Sequence, residues 1–209
     1  MKSRKNLLKK SLLYLILDKP GLAKFSFNSV GVVQLRDKAS AKSQVLNSAL
    51  KLAKCLSKTK TLFIVNDYVD VALLSGSDGV HLGQDDLPLK QARSLLGKDK
   101  IIGISCHNLR QALKAQREGA DYIGIGPVYP SDTKPEYKAI GLRVLRQLRG
   151  KIKIPYFAIG SINESNIKEI TAAGARRIAV CRAILKADDP NRAAGQLFKK
   201  VKENYSKIK

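Results

Sequence analysis

The fold is indicated most clearly by a stretch in the middle of the sequence, Gly119-Ala120-Asp121-Tyr122-Ile123-Gly124-Ile125-Gly126-Pro127-Val128-Tyr129-Pro130. A helical pattern, Asn108–Glu118, ends at Gly119, and the short apolar run Tyr122–Ile125 follows almost at once. A glycine after a helix, followed by a continuous apolar run, is typical of a tight connection into a buried parallel strand. The stretch therefore predicts an α/β fold with a polar loop where the strand ends.

The same connection between helix and strand recurs at Ser75–Val80 and Ala172–Ile178. Eight short apolar runs are predicted strands: Leu12–Leu17, Val32–Leu35, Leu62–Val65, Gly79–Leu82, Ile101–Ile104, Tyr122–Ile125, Tyr156–Ile159 and Arg177–Val180. Eight strands alternating with helices predict a single (β/α)8 TIM barrel over residues 1–209. A doubly wound open sheet is the alternative, but no GxGxxG motif follows the first strand.

Helical patterns separate most of the predicted strands. They cover Lys2–Lys10, Ala41–Ser57, Val69–Leu74, Pro88–Leu96, Asn108–Glu118, Gly141–Leu148, Asn163–Ala173 (with Ser161 or Asn163 as cap) and Asp189–Tyr205. Only Lys19–Val30 separates the first two strands, so we expect the first barrel helix to be short or missing. The basic N-terminal helix, Lys2–Lys10, is expected to cover that part of the barrel.

The charge of the chain is strongly positive, with 39 Lys and Arg against 17 Asp and Glu, a formal net charge of +22. Such a balance suits nucleic acid, membrane surfaces or anionic small molecules. Nucleic acid is not favoured, because no aromatic interleaving and no known nucleic-acid-binding module is present. The run Leu12–Leu17 is too short for a membrane span and lacks a cleavage site, so we predict a cytoplasmic protein without membrane contact.

Polar side chains cluster where the predicted strands end, which is where (β/α)8 barrels place functional residues. In chain order they are Gln34, Arg36, Lys38, Asn66, Asp67, Asp86, Ser105, Ser131, Thr133, Lys134, Gly160, Cys181 and Arg182. Asp67 and Asp86 have a simpler interpretation as helix caps. Beside several cations, however, two carboxylates suit Mg²⁺ and a phosphorylated substrate. His81 and His107 lack the spacing of zinc ligands with any cysteine.

These motifs together resemble the thiamine phosphate synthase family. The matching pieces are Leu13-Tyr14-Leu15, Val33-Gln34-Leu35-Arg36-Asp37-Lys38, Asn66-Asp67, Gly79-Val80-His81-Leu82-Gly83-Gln84-Asp85-Asp86, Gly103-Ile104-Ser105, Gly119 to Pro130, and Ala158-Ile159-Gly160. The resemblance implies a (β/α)8 transferase that joins 4-amino-5-hydroxymethyl-2-methylpyrimidine diphosphate to 4-methyl-5-(2-phosphoethyl)thiazole. Its products would be thiamine phosphate and pyrophosphate.

The resemblance also implies roles for individual residues. Gln34, Arg36, Lys38 and Asn66 would hold the pyrimidine diphosphate, and Asp67 and Asp86 would bind Mg²⁺. Ser105 and Lys134 would contact pyrophosphate or pyrimidine, while Ser131, Thr133, Gly160, Cys181 and Arg182 would border the thiazole phosphate. Arg36, Lys38, Ser105 and Lys134 are the expected catalytic residues.

The sequence departs from the family pattern at two positions near the thiazole phosphate. Ser161 stands where the family usually has a second glycine, and Arg182 stands where it usually has a small serine. Arg182 would either add a phosphate contact or block the site. Two alternatives to the synthase are open: a thiazole tautomerase, with His107 as its acid or base, and a non-catalytic basic barrel that binds phosphorylated ligands or RNA. Asp86 favours the synthase over the tautomerase.

Overall fold

The computed structural model describes residues 4–18, 25–130 and 138–207 of the chain. Its strands are β1 (Leu13–Leu17), β2 (Val32–Leu35), β3 (Leu62–Asn66), β4 (Gly79–Leu82), β5 (Ile101–Cys106), β6 (Tyr122–Ile125), β7 (Tyr156–Ile159) and β8 (Ile178–Val180). Each strand lies within two residues of its predicted bounds.

Helices alternate with these strands along most of the chain. They are α1 (Arg4–Lys10), α2 (Lys42–Leu56), α3 (Val69–Leu74), α4 (Leu89–Leu96), α5 (Leu109–Arg117), α6 (Gly141–Leu148), α7 (Ile167–Ala172), α8 (Arg182–Leu185) and α9 (Pro190–Lys207). The sequence pattern did not predict α8, because a single helical turn is too short to show a period. Among the described helices, none combines the length and apolar character that crossing a membrane requires.

The strands form a closed barrel in chain order, and every neighbouring pair is parallel. Leu15 pairs with Val33 of β2 on one side and with Val180 of β8 on the other, which closes the ring. All residues of the first four strands are buried, as continuous apolar runs predict for strands covered on both faces. The predicted (β/α)8 barrel is confirmed.

The three repeated helix-to-strand connections share one backbone feature, a glycine with positive φ. Gly76, Gly119 and Gly174 all have positive φ, at 69°, 90° and 109°. Each ends a helix in the left-handed region, where glycine carries no steric penalty. The chain then turns directly into β4, β6 or β8, so the connections stay short and the strands stay in register.

The N-terminal helix α1 closes the barrel at the N-terminal end of its strands. Leu8 is 1% exposed and packs in the barrel-interior cluster with Tyr14 and Tyr122. Arg4 forms an ion pair with Asp78, and Lys5 forms one with Asp121, two aspartates that directly precede β4 and β6. The expectation that α1 covers the side of the missing helix is therefore wrong: α1 covers the end of the barrel.

The connection between β1 and β2 contains, in its described part, only a single 3₁₀ turn at Phe27–Ser29. Residues 19–24 lie outside the described part. The predicted cap of the seventh helix is also wrong, because α7 begins at Ile167 rather than near Asn163. The Asn163 side chain instead accepts hydrogen bonds from the amide and hydroxyl of Ser165, which forms a local turn before the helix.

Candidate active site

A cavity of about 380 Å³ opens at the C-terminal end of the barrel. Seven residues singled out in the sequence line it: Gln34, Arg36, Asn66, Ser105, Gly160, Cys181 and Arg182. They lie in or directly after five strands, β2, β3, β5, β7 and β8, and they meet because all parallel strands end at the same edge. The structure thus brings most of the predicted site residues into one concave space, the usual setting of a small-molecule site.

The floor of the cavity is aromatic. Phe157 makes edge-to-face contacts with Tyr14 and Tyr122, with ring centroids 5.1 Å and 5.7 Å apart. All three rings are buried, and all three line the cavity. Sequence reasoning passed over these residues because they lie inside strands, where an aromatic side chain normally indicates core packing. Here they line the inner end of the cavity with aromatic rings, which suits a ring-shaped ligand.

A chain of hydrogen bonds crosses this floor from β2 to β5. Gln34 Nε2 donates to Tyr14 OH at 3.0 Å, Tyr14 OH lies 2.8 Å from Tyr122 OH, and Tyr122 OH lies 3.0 Å from His81 Nδ1. His81 Nε2 is 2.9 Å from Ser105 Oγ. We call these five residues the buried polar chain. It joins two predicted substrate-binding side chains, Gln34 and Ser105, through three residues that had no assigned role.

Two glycines in the strands make room for the buried polar chain. A Cβ atom on Gly103 would lie 2.5 Å from Tyr122 OH and closer still to the ring, and one on Gly124 would lie 3.2 Å from His81 Cε1. Glycine inside a strand otherwise weakens it. These two glycines, visible in the sequence, were the signal that large polar side chains cross the barrel at this level.

Two arginines, Arg36 after β2 and Arg182 after β8, approach the mouth near Cys181 from strands on either side of β1. Burial raises the pKa of the Cys181 thiol to about 11, and the carboxylate of Asp18 also raises it, while Arg182 and Arg36 lower it. Both guanidinium groups are therefore close enough to the sulfur to act on it electrostatically. The mouth presents positive charge beside Gly160, where barrels commonly bind phosphate.

Lys38, Asp67 and Asp86 form a second cluster, beside Asn66 of the cavity wall. We call it the acid pair with its lysine. Lys38 Nζ lies 3.1 Å from Asp67 Oδ2. The pKa of Asp67 is raised, first by burial and then by a hydrogen bond and charge repulsion from Asp86, and Lys38 opposes this increase only in part. The two carboxylates therefore meet in a setting that favours a shared proton or a bound cation.

Neither carboxylate is an N-terminal helix cap. The helix after Asp67 has Tyr68 at its cap position, and the helix after Asp86 has Pro88 there. Asp67 itself has φ 62°, in the left-handed region that costs energy for most residues. Asp86 Oδ2 instead accepts the backbone N–H of Gly83 at 2.6 Å. The interpretation of these residues as caps is excluded.

The wall next to the sixth strand is built around Gly160. Gly160 has φ 111°, and a Cβ atom there would lie 2.6 Å from Pro127 Cα, so only glycine fits. Ser161 follows at φ 49°, and its Oγ donates to the carbonyl oxygen of Pro130 at 2.6 Å. That positive φ explains why glycine suits this position. The predicted loop residues Ser131, Thr133 and Lys134 lie outside the described residues.

His107 also lines the cavity, at the end of β5. Its Nδ1 is 2.5 Å from the carbonyl oxygen of Gly126. A carbonyl can only accept, so Nδ1 carries the proton and orients the ring. Within residues 4–18, 25–130 and 138–207, no group of three or more His, Cys, Asp or Glu side chains is arranged to hold a metal ion. The acid pair brings together two such side chains.

Comparison with known proteins identifies the family. Residues 22–184 match the family model of thiamine monophosphate synthase. The thiamine-phosphate synthase of Shouchella clausii is 44% identical over 175 residues, which cover 83% of this chain and 84% of that protein. The thiamine-phosphate synthase of Gloeobacter violaceus is 48% identical over 170 residues, which cover 81% of this chain but 50% of that longer protein.

Solved structures agree with the sequence comparison. The thiamine phosphate pyrophosphorylase from Pyrococcus furiosus superimposes with a TM-score of 0.81 at 35% identity, over 96% of this chain and 98% of that one. A 3-hexulose-6-phosphate synthase superimposes with a TM-score of 0.69 at 18% identity, over 90% of this chain and 99% of that one, and shares the fold alone. With its acid pair and cationic mouth at the ends of a closed parallel barrel, this chain belongs to the thiamine monophosphate synthase family.

Proposed function

We propose that this enzyme, a transferase, makes thiamine phosphate by joining a pyrimidine diphosphate to a thiazole phosphate at the C-terminal mouth of its barrel. The observation that carries the proposal is the acid pair with its lysine beside a cation-lined cavity with an aromatic floor. The acid pair with its lysine suits a metal-bound diphosphate, and the aromatic floor suits a flat heterocycle. The two lie next to each other through Asn66 and Asp67.

The aminopyrimidine ring is proposed to lie on the aromatic floor, within reach of Gln34, Asn66 and Ser105. Gln34 and Asn66 are both buried, so a ligand that pairs with their amide groups gains hydrogen bonds in a desolvated site. Phe157 provides apolar surface for the ring. This position places the methylene carbon that reacts above the floor, between the two charged regions.

The acid pair fits Mg²⁺. Two carboxylates share one lysine, and the pKa of Asp67 is raised first by burial and then by its hydrogen bond with Asp86 and the charge of Asp86. Hard carboxylate oxygens, together with phosphate oxygens and water, are the ligands that Mg²⁺ prefers. When bound by Asp67 and Asp86, Mg²⁺ would supply positive charge to the diphosphate and so favour its departure.

Arg36, Lys38 and Lys134 are proposed to hold the diphosphate as it leaves. Their charges would stabilise the departing pyrophosphate more than the bound substrate, and that difference accelerates the reaction. We propose a dissociative order: the bond between the pyrimidine methylene and the diphosphate oxygen breaks first, pyrophosphate leaves, and the thiazole nitrogen attacks the resulting pyrimidine methylene cation. Ser105 is proposed to contact the same substrate from the floor.

The thiazole phosphate is proposed to bind opposite the acid pair, beside Gly160 and the turn at Cys181 and Arg182. Ser131 and Thr133 would complete this side with hydroxyl donors. Arg182 lines the cavity together with Gly160. A guanidinium group matches a phosphate in two parallel hydrogen bonds, so we propose that Arg182 binds the phosphate rather than blocks it.

No covalent intermediate with a cysteine of the cavity is needed. Burial raises the pKa of Cys106 to about 12 and that of Cys181 to about 11, so both remain thiols at neutral pH. The thiolate is the nucleophilic form of cysteine. The work of the protein is therefore to position two substrates and to stabilise charge.

The test is a two-substrate assay with purified protein and Mg²⁺. We expect pyrophosphate release and thiamine phosphate formation in equal amounts, and neither product when one substrate is omitted. Folded protein that forms no thiamine phosphate would contradict the proposal. Conversion of the thiazole between tautomers in the same samples would favour a tautomerase, and steeply salt-dependent RNA binding without product would favour the basic binding barrel.

A further inference from the structure

The buried polar chain contains three residues that the proposed reaction leaves without a role: Tyr14, Tyr122 and His81. They lie between Gln34 and Ser105, and their hydrogen bonds are 2.8 to 3.0 Å long. Both tyrosines and Gln34 are at most 2% exposed. Buried polar groups at this depth are costly unless each one is paired, so the direction of every bond matters.

Both tyrosines carry one proton each. Burial raises the pKa of both Tyr14 and Tyr122, so both remain neutral phenols at physiological pH. A phenol has a single O–H to donate, and its oxygen can accept from its other partner. A chain of such groups therefore has one direction throughout, set by the donor at one end.

The donor at the start of the chain is the amide nitrogen of Gln34. Because Gln34 Nε2 donates to Tyr14, Tyr14 is left to donate to Tyr122, and Tyr122 to His81 Nδ1. With Nδ1 accepting, the neutral imidazole carries its proton on Nε2. Nε2 then donates to Ser105 Oγ at 2.9 Å.

We propose that His81 is a positioning residue, held by Tyr14 and Tyr122 as the Nε2–H tautomer, which makes Ser105 a hydrogen-bond donor to the substrate. Ser105 Oγ accepts from His81, so its own proton remains for the ligand. The partner is a lone-pair acceptor, either a ring nitrogen or a diphosphate oxygen. The identity of that ligand rests on the proposed function, whereas the tautomer is a property of the protein alone.

The direction of the hydrogen bonds in the buried polar chain also shows that Ser105 is not activated as a nucleophile. A histidine within 3 Å of a serine hydroxyl is the arrangement seen in serine hydrolases, where the imidazole accepts the serine proton. In those enzymes a carboxylate accepts from the other ring nitrogen and fixes the accepting tautomer. Here a phenol donates to Nδ1, so His81 has the opposite tautomer and cannot take the Ser105 proton.

Nitrogen-15 NMR of the protein tests this directly, because imidazole nitrogens report which of them carries the proton. The chain has only two histidines, so His107→Gln suffices to assign the signals. We expect wild-type His81 to be the Nε2–H tautomer. In Tyr122→Phe, which removes the donor to Nδ1, we expect a mixture of tautomers and a roughly tenfold lower kcat/KM, the effect of one unsatisfied buried group.

A matched control is Tyr156→Phe. Tyr156 is also largely buried and donates its hydroxyl to the carbonyl of Gly174, but it lies outside the buried polar chain. The Tyr156→Phe variant should therefore have the same His81 signals and the same kcat/KM as the wild type. The Mg²⁺ concentration for half-maximal rate should stay the same in Tyr122→Phe, because the acid pair is a separate cluster.

An Nδ1–H signal from wild-type His81 would overturn the proposal without any variant. A Tyr122→Phe protein that keeps the wild-type tautomer, with or without a change in rate, would overturn the positioning role. If the wild type makes no thiamine phosphate, the proposed function fails while the NMR result still decides the tautomer. The two failures are therefore distinguishable.

Discussion

The two ends of the barrel use the same chemical groups with opposite results. At the N-terminal end, Asp78 accepts the N–H of Phe63 at 2.8 Å and pairs with Arg4. Asp121 accepts the N–H of Ile102 at 2.9 Å and pairs with both Lys5 and Arg93. Both aspartates there are paired with cations of the protein.

At the C-terminal mouth the aspartates are not balanced in this way. Asp67 and Asp86 lie next to each other. Among the described residues, their one ion pair with a cation is the contact between Lys38 and Asp67. Asp67 also stands in a left-handed backbone conformation. We conclude that aspartates fully paired with cations stabilise the fold, whereas aspartates that outnumber the nearby cations are available to bind a ligand.

The largest effect is expected from Asp67→Asn at the mouth. Asparagine tolerates the left-handed backbone at least as well as aspartate, so the free energy of unfolding should change by less than about 1 kcal/mol. Loss of a carboxylate that we propose binds Mg²⁺ should lower kcat/KM roughly 100-fold or more. Rates of pyrophosphate release and urea unfolding curves measure the two effects.

The control for that variant is Asp70→Asn, which removes the same charge nearby. Asp70 is exposed and pairs with Lys42, and such surface pairs contribute little. We expect both rate and stability to stay near wild type. If Asp67→Asn unfolds the protein instead, Asp67 belongs with the aspartates at the other end of the barrel.

At the N-terminal end, Asp121→Asn is expected to lower stability and leave the rate unchanged, which is the reverse of the result for Asp67→Asn. The amide cannot balance Arg93 and Lys5, which leaves a partly buried charge cluster without its anion. The loss of stability should be roughly 2–3 kcal/mol. Because Asp121 is far from the mouth along the strands, kcat/KM measured well below the melting temperature should not change. A drop in rate with unchanged stability would contradict the division between the two ends.

The pH dependence of Mg²⁺ binding sharpens the comparison. The pKa of Asp67 is raised above 3.8, so the folded protein holds that proton more tightly than the unfolded chain does. Asp67 therefore adds stability below about pH 4, and this is lost as pH rises through the folded-state pKa. The Mg²⁺ site that we propose requires the ionised carboxylate, so we expect Mg²⁺ binding to strengthen over the same range.

We accordingly expect Mg²⁺ to raise the melting temperature less at about pH 4, close to the ordinary pKa of an aspartate, than at about pH 7, because Mg²⁺ binds the folded state alone. The difference should disappear in Asp67→Asn. Asp121→Asn should retain it, because that carboxylate is already paired. An equal Mg²⁺ effect at both pH values would place the metal elsewhere.

The sequence predicted the barrel because its signals are local and repeated. Continuous apolar runs mark strands buried on both faces, and glycines such as Gly119 mark where a helix must end. The position of α1 was not predictable, because its basic residues find their partners, Asp78 and Asp121, only when distant strands are brought together. Such ion pairs leave no periodic trace in the sequence.

The sequence pointed to residues at the rim of the cavity and gave no role to those at its floor. Arg36 and Asp67 follow strands directly, so their position alone suggested a role. Tyr14, Tyr122 and His81 lie inside strands, where the sequence pattern of a core residue and of a buried hydrogen-bonded residue is the same. Only the register of the closed barrel brings β1, β4 and β6 close enough for their hydroxyl and imidazole groups to meet.

The smallest effect is expected from Ser161→Gly, which introduces the glycine that the family usually has. Glycine relieves a left-handed φ that costs a serine roughly 1–2 kcal/mol, but it removes the bond from Ser161 Oγ to Pro130, worth about 1 kcal/mol. The net change in unfolding free energy should therefore lie within about 1 kcal/mol. Gly119→Ser is the reverse substitution, from glycine to serine at a positive φ, at the other end of the barrel. A Cβ atom on residue 119 would have nothing within 4 Å, so no contact offsets the backbone cost. The free energy of unfolding measured in urea should therefore fall by roughly 1–2 kcal/mol. Equal losses in the two variants would mean that the Ser161 hydroxyl, and not the backbone, determines the stability of the mouth.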